Sequence, residues 1–184
     1  MKSAVLSMDI QRGVVGVYVK DTEYVGRVAG VLERARRTGM PVIHVKVGFR
    51  AGVPEASPRN TFLSAVKASV PHQRFFQGDS GAMHPGIGPT EDDLVVTKSR
   101  VGAFSGTDLD LLLRAHEVDT LILFGIATSG VVLSTALHAA DLDYRVVVIK
   151  DCCADLDPDA HSFLLEKILP RQATVISSSE FMPS

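Results

Sequence analysis

Short apolar runs alternate along the chain with longer segments in which apolar residues recur every three or four positions. The short runs predict β-strands, and the longer spacing predicts amphipathic helices. The predicted strands are Ala4–Met8, Pro41–Val47, Leu94–Thr97, Thr120–Gly125, Arg145–Ile149 and Ala173–Ile176. The predicted helices are Thr22–Thr38, Thr61–Ser69, Thr107–His116, Thr128–Leu142 and Pro158–Leu169.

Three segments are predicted to lack regular structure. Gly13 and Gly16 predict a loop after the first strand, and a second loop follows at residues 48–58. Several prolines and glycines predict irregular structure over residues 71–93. Long ordered loops of this kind often carry function.

The alternation of strands and helices predicts an α/β fold. Right-handed crossovers between successive strands give a mostly parallel sheet with helices on both faces, which is a three-layer sandwich. The nearly continuous apolar run Thr120–Gly125 is typical of a strand covered on both faces. We find no internal repeat or linker, so we expect a single domain over residues 1–184.

Composition and charge limit the classes of partner that the protein is expected to bind. The 184 residues carry 19 basic and 21 acidic side chains, and no Lys and Arg cluster is dense enough to predict a nucleic acid partner. The apolar runs are shorter than the roughly 20 residues that cross a bilayer, so no membrane partner is expected. The first residues lack the features of a secretory signal, and the adjacent Cys152 and Cys153 fit a reducing compartment. We therefore predict a cytoplasmic protein.

Three polar or glycine-containing points follow predicted strands. They are Asp9, Lys98 and the segment 125–131, which joins a strand to a helix. Ligands of open parallel sheets bind beyond the carboxyl ends of the strands, so these points are candidates for a site. Backbone N–H groups at the start of the helix suit an anion or a carbonyl oxygen that gains charge. Each feature alone also has a purely structural explanation. Asp9 can cap a turn, Lys98 can be a surface charge, and the segment 125–131 can be an ordinary helix start.

The combination resembles the isochorismatase-like hydrolase superfamily over essentially the whole chain. The resemblance rests on the runs SMDIQ, VVTKSRVGAFSGTDLDLLL and DTLILFGIATSGVVLSTALHAADLDYRVVVIKDCCAD, in this order. It implies a six-stranded parallel sheet, a homo-oligomer (a dimer or larger), and a pocket that holds an Asp, a Lys and usually a Cys. Asp9 and Lys98 match two of these residues. The resemblance also implies a cis peptide bond between Ile126 and Ala127.

The chain departs from that superfamily at the nucleophile. Val131 stands where the Cys normally lies, and a hydrocarbon side chain cannot attack a carbonyl. Cys152 and Cys153 are better explained as buried core thiols. Ser129 and Ser134 carry hydroxyls, but the sequence shows no base beside them.

The predicted mechanism therefore uses Asp9, Lys98 and water. Asp9 acts as an acid toward a vinyl ether or similar bond if it is protonated, and as a base toward an amide or ester if it is ionised. Burial raises its pKa and Lys98 lowers it, so the sequence leaves this choice open. Lys98 holds Asp9 and stabilises negative charge on a small-molecule substrate. The substrate-binding candidates are Gln11, Arg50, Phe104, Ala127, Thr128 and Val131.

No cofactor is predicted. His44 has no second His within five residues, so we expect no catalytic metal. Asp155, Asp157, Asp159 and Glu166 have the spacing of a calcium loop, but Asp157 as a helix N-cap before Pro158 explains them better. The chain also lacks the glycine-rich loops that bind dinucleotides or nucleoside triphosphates.

Two hypotheses of function remain. The first is a small-molecule hydrolase that resembles isochorismatases and works without a cysteine nucleophile. The second is a catalytically silent subunit of the same fold that binds a small ligand or supports an assembly. Retention of both Asp9 and Lys98 favours the enzyme, because a buried ion pair is seldom kept for stability alone.

Overall fold

A six-stranded parallel sheet forms the centre of the computed structural model, which describes residues 2–183. The strand order is β3-β2-β1-β4-β5-β6, and every neighbouring pair is parallel. The strands are β1 (Ser3–Met8), β2 (Val42–Val47), β3 (Leu94–Lys98), β4 (Thr120–Gly125), β5 (Arg145–Ile149) and β6 (Thr174–Ile176). The predicted α/β fold class and all six predicted strands are confirmed.

Helices connect the strands. They are α1 (Arg12–Tyr18), α2 (Tyr24–Arg37), α3 (Thr61–Ala68), α4 (Val70–Phe75), α5 (Gly78–Gly81), α6 (Leu109–Ala115), α7 (Leu133–Asp141) and α8 (Pro158–Phe163). Wider π-helical turns, Thr128–Val132 and Leu164–Ile168, adjoin α7 and α8, and short 3₁₀ turns cover Pro85–Ile87, Lys150–Cys152 and Leu169–Arg171. Among residues 2–183, no helix is both long and apolar enough to cross a membrane.

The apolar periodicity of α2 predicts the face that it buries. Val28, Val31, Leu32 and Ala35 are all fully buried, and charged residues occupy the other positions. Gly39 follows the helix with φ +72°, a left-handed conformation that glycine adopts without strain and that commonly ends helices. The start and end of this helix were therefore predictable within about two residues.

The prediction of a loop after β1 was wrong, because α1 occupies this segment. Val14 and Val15 of α1 are buried in the core. Gly13 permits a close contact between helices, because a Cβ atom there would lie 2.1 Å from Ser80 Oγ in α5. Gly13, which predicted a loop, therefore allows α1 and α5 to pack closely together.

The segment 71–93 also contains more helix than predicted. Ser69 caps α4 through a hydrogen bond from the His72 backbone N–H, and Pro71 lies in the first turn, where its missing N–H is harmless. Elsewhere, the predicted helix Thr107–His116 begins two residues later than expected. The Thr107 hydroxyl donates to the Ala103 carbonyl at 2.7 Å and so closes the preceding turn.

Gly125 at the end of β4 allows a direct test of the close approach between β4 and β1. A Cβ atom here would lie 2.1 Å from the Met8 carbonyl oxygen of β1, and a backbone atom cannot move aside cheaply. We expect Gly125→Ala to lower the free energy of unfolding by about 1–3 kcal/mol, measured by urea denaturation.

Gly30→Ala is the matched control. A Cβ atom there would meet the Arg34 guanidinium at 3.6 Å, an ordinary contact, within a regular stretch of α2. This change should raise the free energy of unfolding by about 0.5–1 kcal/mol, because alanine favours a helix over glycine. Equal stability of Gly125→Ala and the wild type would contradict the proposed close approach.

Candidate active site

A cavity of about 370 Å³ lies at the carboxyl edge of the sheet. Asp9 after β1, Lys98 at the end of β3 and Ile126 after β4 all line it. In the observed strand order, the connections from β1 and β4 proceed toward opposite edges of the sheet. This is the point at which open parallel sheets bind ligands, and the volume is within the usual range for a small molecule.

Asp9 and Lys98 form a buried ion pair in this cavity. The distance between Lys98 Nζ and Asp9 Oδ2 is 2.9 Å, and the two side chains are 2% and 7% exposed. Lys98 Nζ also donates a hydrogen bond of 2.9 Å to the Arg100 carbonyl oxygen. Asp9 Oδ1 is buried and has no hydrogen-bond partner among residues 2–183. The carboxylate is thus anchored through one oxygen, and the other is buried without a hydrogen bond within residues 2–183.

Burial controls the protonation of Asp9. Loss of solvent raises the pKa of this carboxyl from 3.8 to about 6, although the positive charge and hydrogen bond of Lys98 act to lower it. At neutral pH most of the molecules therefore carry an ionised Asp9. A carboxylate with such a pKa is a stronger base than an exposed aspartate.

The backbone amides after β4 are mostly occupied within the chain. The N–H groups of Ile126, Thr128 and Gly130 donate to the carbonyls of Met8, Ala154 and Ala127, respectively. Ser129 N–H donates to Asp155 Oδ2 at 2.7 Å. This leaves Ala127, whose N–H has no acceptor among the residues that the structure describes. Free backbone N–H groups were predicted at the start of this helix, and in residues 126–130 only the N–H of Ala127 is free of an acceptor within the described chain.

Five aromatic side chains line the cavity, and we call them together the aromatic wall. Its members are Tyr18, Phe49, Phe62, Phe75 and Phe76. Phe76 packs edge-to-face on Phe49 and on Phe75, with ring centroids 5.7 Å and 4.9 Å apart. Because the charges of Asp9 and Lys98 offset each other, the interior suits the apolar body of a ligand.

A family model described as the isochorismatase domain matches residues 3–180. The chain belongs to the isochorismatase family. It is 32% identical, over 98% of its length and 94% of the relative, to the isochorismatase family protein YecD of Escherichia coli O157:H7. It is also 28% identical to the maleamate amidohydrolase of Pseudomonas putida, over 86% of this chain and 72% of that enzyme.

Solved structures of the isochorismatase family have the same fold. A family protein from Burkholderia thailandensis is 32% identical, with a TM-score of 0.86 over 97% of this chain and 92% of that chain. The N-carbamoylsarcosine amidase from Thermoplasma acidophilum is 27% identical, with a TM-score of 0.79 over 100% of both chains. The predicted family and the prediction of an isochorismatase-family hydrolase are confirmed.

Four of the eight predicted site residues line the cavity. Asp9, Lys98, Ala127 and Val131 do so, and the Ile126–Ala127 peptide bond is cis, as the resemblance to the family implies. Val131 is buried, so hydrocarbon lies at the position where the resemblance to the family implies a thiol. The other predicted residues, Gln11, Arg50, Phe104 and Thr128, do not line this cavity.

Gln11 connects backbone segments. Its Nε2 donates to the carbonyls of Val47 at 3.0 Å and Gly81 at 2.7 Å, and its Oε1 accepts from Val47 N–H at 2.9 Å. The residue is fully buried. Gln11 therefore fixes the end of β2 and the helix α5 that lie beside the aromatic wall.

The remaining three candidates have other contacts. Phe104 packs against the His138 ring, with centroids 5.0 Å apart, in the hydrophobic core. Thr128 is fully buried, and its hydroxyl lies 2.8 Å from His161 Nδ1. Arg50 Nη1 is paired with Glu55 Oε1 at 2.9 Å in a neighbouring recess.

Most of the aromatic wall was missed by sequence reasoning. Tyr18, Phe62, Phe75 and Phe76 were not candidates, although all line the cavity. The paired phenylalanines at 75 and 76 lie inside the segment 71–93, whose length already suggested function. An aromatic pair within such a segment is the signal that could have indicated them.

The two cysteines and the acidic residues with the spacing of a calcium loop have structural explanations. Cys152 and Cys153 are buried outside the cavity, and burial raises the pKa of Cys153 to about 12. Asp157 Oδ1 caps α8 by accepting from the backbone N–H groups of Asp159 and Ala160. Within residues 2–183, no group of three or more His, Cys, Asp or Glu side chains is arranged to hold a metal ion.

The raised pKa of Asp9 predicts a dependence of stability on pH. Between pH 3.8 and about 6, the folded chain keeps the Asp9 proton that the unfolded chain loses. The stabilising contribution is thus fully present below pH 3.8 and is lost as the pH rises through about 6. The total loss is about 3 kcal/mol of unfolding free energy.

Asp9→Asn removes this titration. The unfolding free energy of the wild type relative to that of Asp9→Asn, measured by urea denaturation, should fall by about 2 kcal/mol between pH 4 and pH 7, because part of the total loss occurs below pH 4. A difference that stays constant over this range would show that Asp9 has an ordinary pKa.

Proposed function

We propose that the chain hydrolyses an amide or ester bond of a small molecule with water, through Asp9 and Lys98 and without a cysteine nucleophile. The observation that carries this proposal is the asymmetric carboxylate of Asp9. Lys98 holds Oδ2, whereas Oδ1 is unpartnered inside an apolar cavity. A carboxylate oxygen in this position is suited to accept a proton from water.

The proposed reaction has two proton transfers. Asp9 Oδ1 takes a proton from water as the water oxygen attacks the carbonyl carbon. The carbonyl oxygen gains negative charge, and the unpaired N–H of Ala127 supports its stabilisation. Asp9 then returns the proton to the leaving nitrogen or oxygen as the bond breaks, which restores its ionised form.

Lys98 keeps Asp9 in place during both steps. Its ammonium bridges Asp9 Oδ2 and the Arg100 carbonyl, so the carboxylate cannot rotate freely. The positive charge also favours an ionised Asp9, which a base requires. Burial disfavours the ionised form of Asp9, and the net result of the two effects is a pKa of about 6 for this carboxyl.

Val131 favours direct attack by water over a covalent intermediate. Its side chain lines the cavity and offers no nucleophilic atom. The relatives named maleamate amidohydrolase, ureidoacrylate amidohydrolase and N-carbamoylsarcosine amidase support an amide as the bond that is cleaved. The aromatic wall supports an apolar group next to this amide.

Several predictions about the whole protein stay open to experiment. We propose a single domain over residues 1–184, a cytoplasmic location, a homo-oligomer and a reaction without a metal ion. The catalytically silent binding subunit is the alternative that the activity measurements below decide.

Asp9→Asn is expected to reduce kcat/KM by at least about 100-fold in a screen of small amides and esters, because the variant has no base. Asp92→Asn, at an exposed position outside the cavity, is the matched control. The wild-type kcat/KM should rise with pH and level off above about 6, as Asp9 ionises.

Other results would redirect the proposal. Equal activity of Asp9→Asn and the wild type would remove Asp9 from the reaction. A rate that falls as the pH rises through 6 would indicate that Asp9 acts as an acid and not as a base. No hydrolysis of any compound by a folded wild type would favour the silent subunit.

Thiol reagents provide an independent test. N-ethylmaleimide should leave kcat/KM unchanged, because both cysteines are buried and burial raises the pKa of each thiol. Activity and modification are followed together by rate assay and mass spectrometry. Inactivation that parallels modification of Cys152 or Cys153 would overturn the thiol-free mechanism.

A further inference from the structure

Thr128 and His161 form a hydrogen bond outside the cavity of the proposed active site. The distance between Thr128 Oγ1 and His161 Nδ1 is 2.8 Å. The same hydroxyl lies 3.3 Å from the Ala154 carbonyl oxygen, which already accepts the Thr128 backbone N–H at 2.9 Å. A hydroxyl donates best over about 2.5–3.0 Å, so its proton is directed to the imidazole. His161 therefore accepts through Nδ1 and carries its own proton on Nε2.

The Thr128 hydroxyl is not placed to act as a nucleophile. A hydroxyl that donates to an imidazole has the arrangement of an activated nucleophile. However, Thr128 is fully buried, and neither it nor His161 lines the cavity. A substrate carbonyl in the cavity does not meet this hydroxyl, so the hydrogen bond has another role.

The residue before Thr128 suggests that role. Ala127 lines the cavity, and its N–H has no acceptor within residues 2–183. The two residues after it are held from outside the cavity, because Asp155 Oδ2 accepts the Ser129 N–H at 2.7 Å and His161 accepts the Thr128 hydroxyl. The backbone that carries the free N–H is thus fixed by side chains that do not touch the substrate.

We propose that His161 is a positioning residue, which holds Thr128 so that the Ala127 N–H stays in place for the carbonyl oxygen of the substrate. This inference rests on the proposed function and deepens it, because it names what supports the oxyanion donor and what regulates it. A neutral imidazole accepts the hydroxyl proton, whereas a protonated imidazole cannot. Protonation of His161 therefore removes the support, and a displaced donor stabilises the oxyanion less well.

Burial keeps His161 neutral at neutral pH. It lowers the pKa of this imidazole below its ordinary value, whereas the charge of Asp155 acts to raise it. His161 lines a recess of about 280 Å³ outside the cavity. The titratable side chains around it are Tyr18, Lys20, Asp21, Tyr24, Arg27, Cys153 and Asp155 in this recess, and Asp157 and Asp159 at the start of its own helix.

The test uses 4-nitroacetanilide, an amide with an apolar group on nitrogen, and follows the release of 4-nitroaniline by absorbance. Thr128→Val and His161→Leu each remove one side of the hydrogen bond. His161→Asn offers a side-chain oxygen that accepts from Thr128 but does not titrate. His116→Asn is the matched control, because His116 is exposed and lies outside the cavity.

We expect Thr128→Val and His161→Leu each to reduce kcat about tenfold and to leave KM nearly unchanged, because the oxyanion forms only after the substrate has bound. The double variant should lose no more than either single variant, since both changes break the same hydrogen bond. His161→Asn should recover much of the lost kcat, and His116→Asn should match the wild type. The acid limb of kcat/KM should be steeper in the wild type than in His161→Asn, where only Asp9 titrates.

NMR tests the hydrogen bond without any turnover. The imidazole nitrogen shifts of the wild type should place the His161 proton on Nε2, and the Ala127 amide signal should move in Thr128→Val and His161→Leu. If either variant does not fold, as judged by thermal melting, the wild-type imidazole shifts and the pH profiles of the wild type and His161→Asn decide the question.

Two results would overturn the inference and leave hydrolysis at Asp9 in place. One is an equal kcat in the wild type, Thr128→Val and His161→Leu, and the other is a His161 proton on Nδ1. A wild type that hydrolyses nothing but shows the expected imidazole and amide signals would support the role of His161 in holding Ala127. The same result would count against the hydrolytic mechanism.

Discussion

The buried ion pair between Asp9 and Lys98 is the interaction on which the rest of the site depends. Removal of two charges from water is costly, and it is offset here by their 2.9 Å contact and by the Arg100 carbonyl. Asp9 follows β1 and Lys98 ends β3, and these strands are not neighbours because β2 lies between them. The pairings of Met8 with Val45 and of Val47 with Lys98 bring both to one edge. The site therefore depends on the register of half the sheet.

The apolar surroundings give this pair its chemistry. The same burial that makes an ionised Asp9 unfavourable raises its pKa to about 6 and makes it a better base. Val131 and the aromatic wall make much of the cavity lining apolar, and the polar side chains beside Asp9 and Lys98 are those of Ser99, Arg100 and Ser129.

The segment that carries Phe75 and Phe76 of the aromatic wall is ordered by contacts with distant residues. Gln11 supplies hydrogen bonds to Val47 and Gly81, which are 36 and 70 residues away in sequence. Met83 forms a bridge with Gln11, and the Arg12 N–H donates to the Ala82 carbonyl. The local composition of residues 71–93 predicts irregular structure, because composition cannot express bonds made to another part of the chain. The same limit explains why Gln11 was expected to bind substrate and is instead a structural link.

The sequence by itself determined the six strands, the parallel α/β sheet and the two charged residues at its edge. Periodicity and strand ends report on what each residue does locally, and β4 and β5 were predicted to the residue. Tertiary structure alone decided which side chains surround Asp9 and Lys98. It turned Phe104 into the core, paired Arg50 with Glu55, and placed the phenylalanines of α3 and α4 against the cavity. The physical reason is that a local pattern specifies whether a face is buried, whereas the partner it is buried against depends on the packing of segments far apart in the chain.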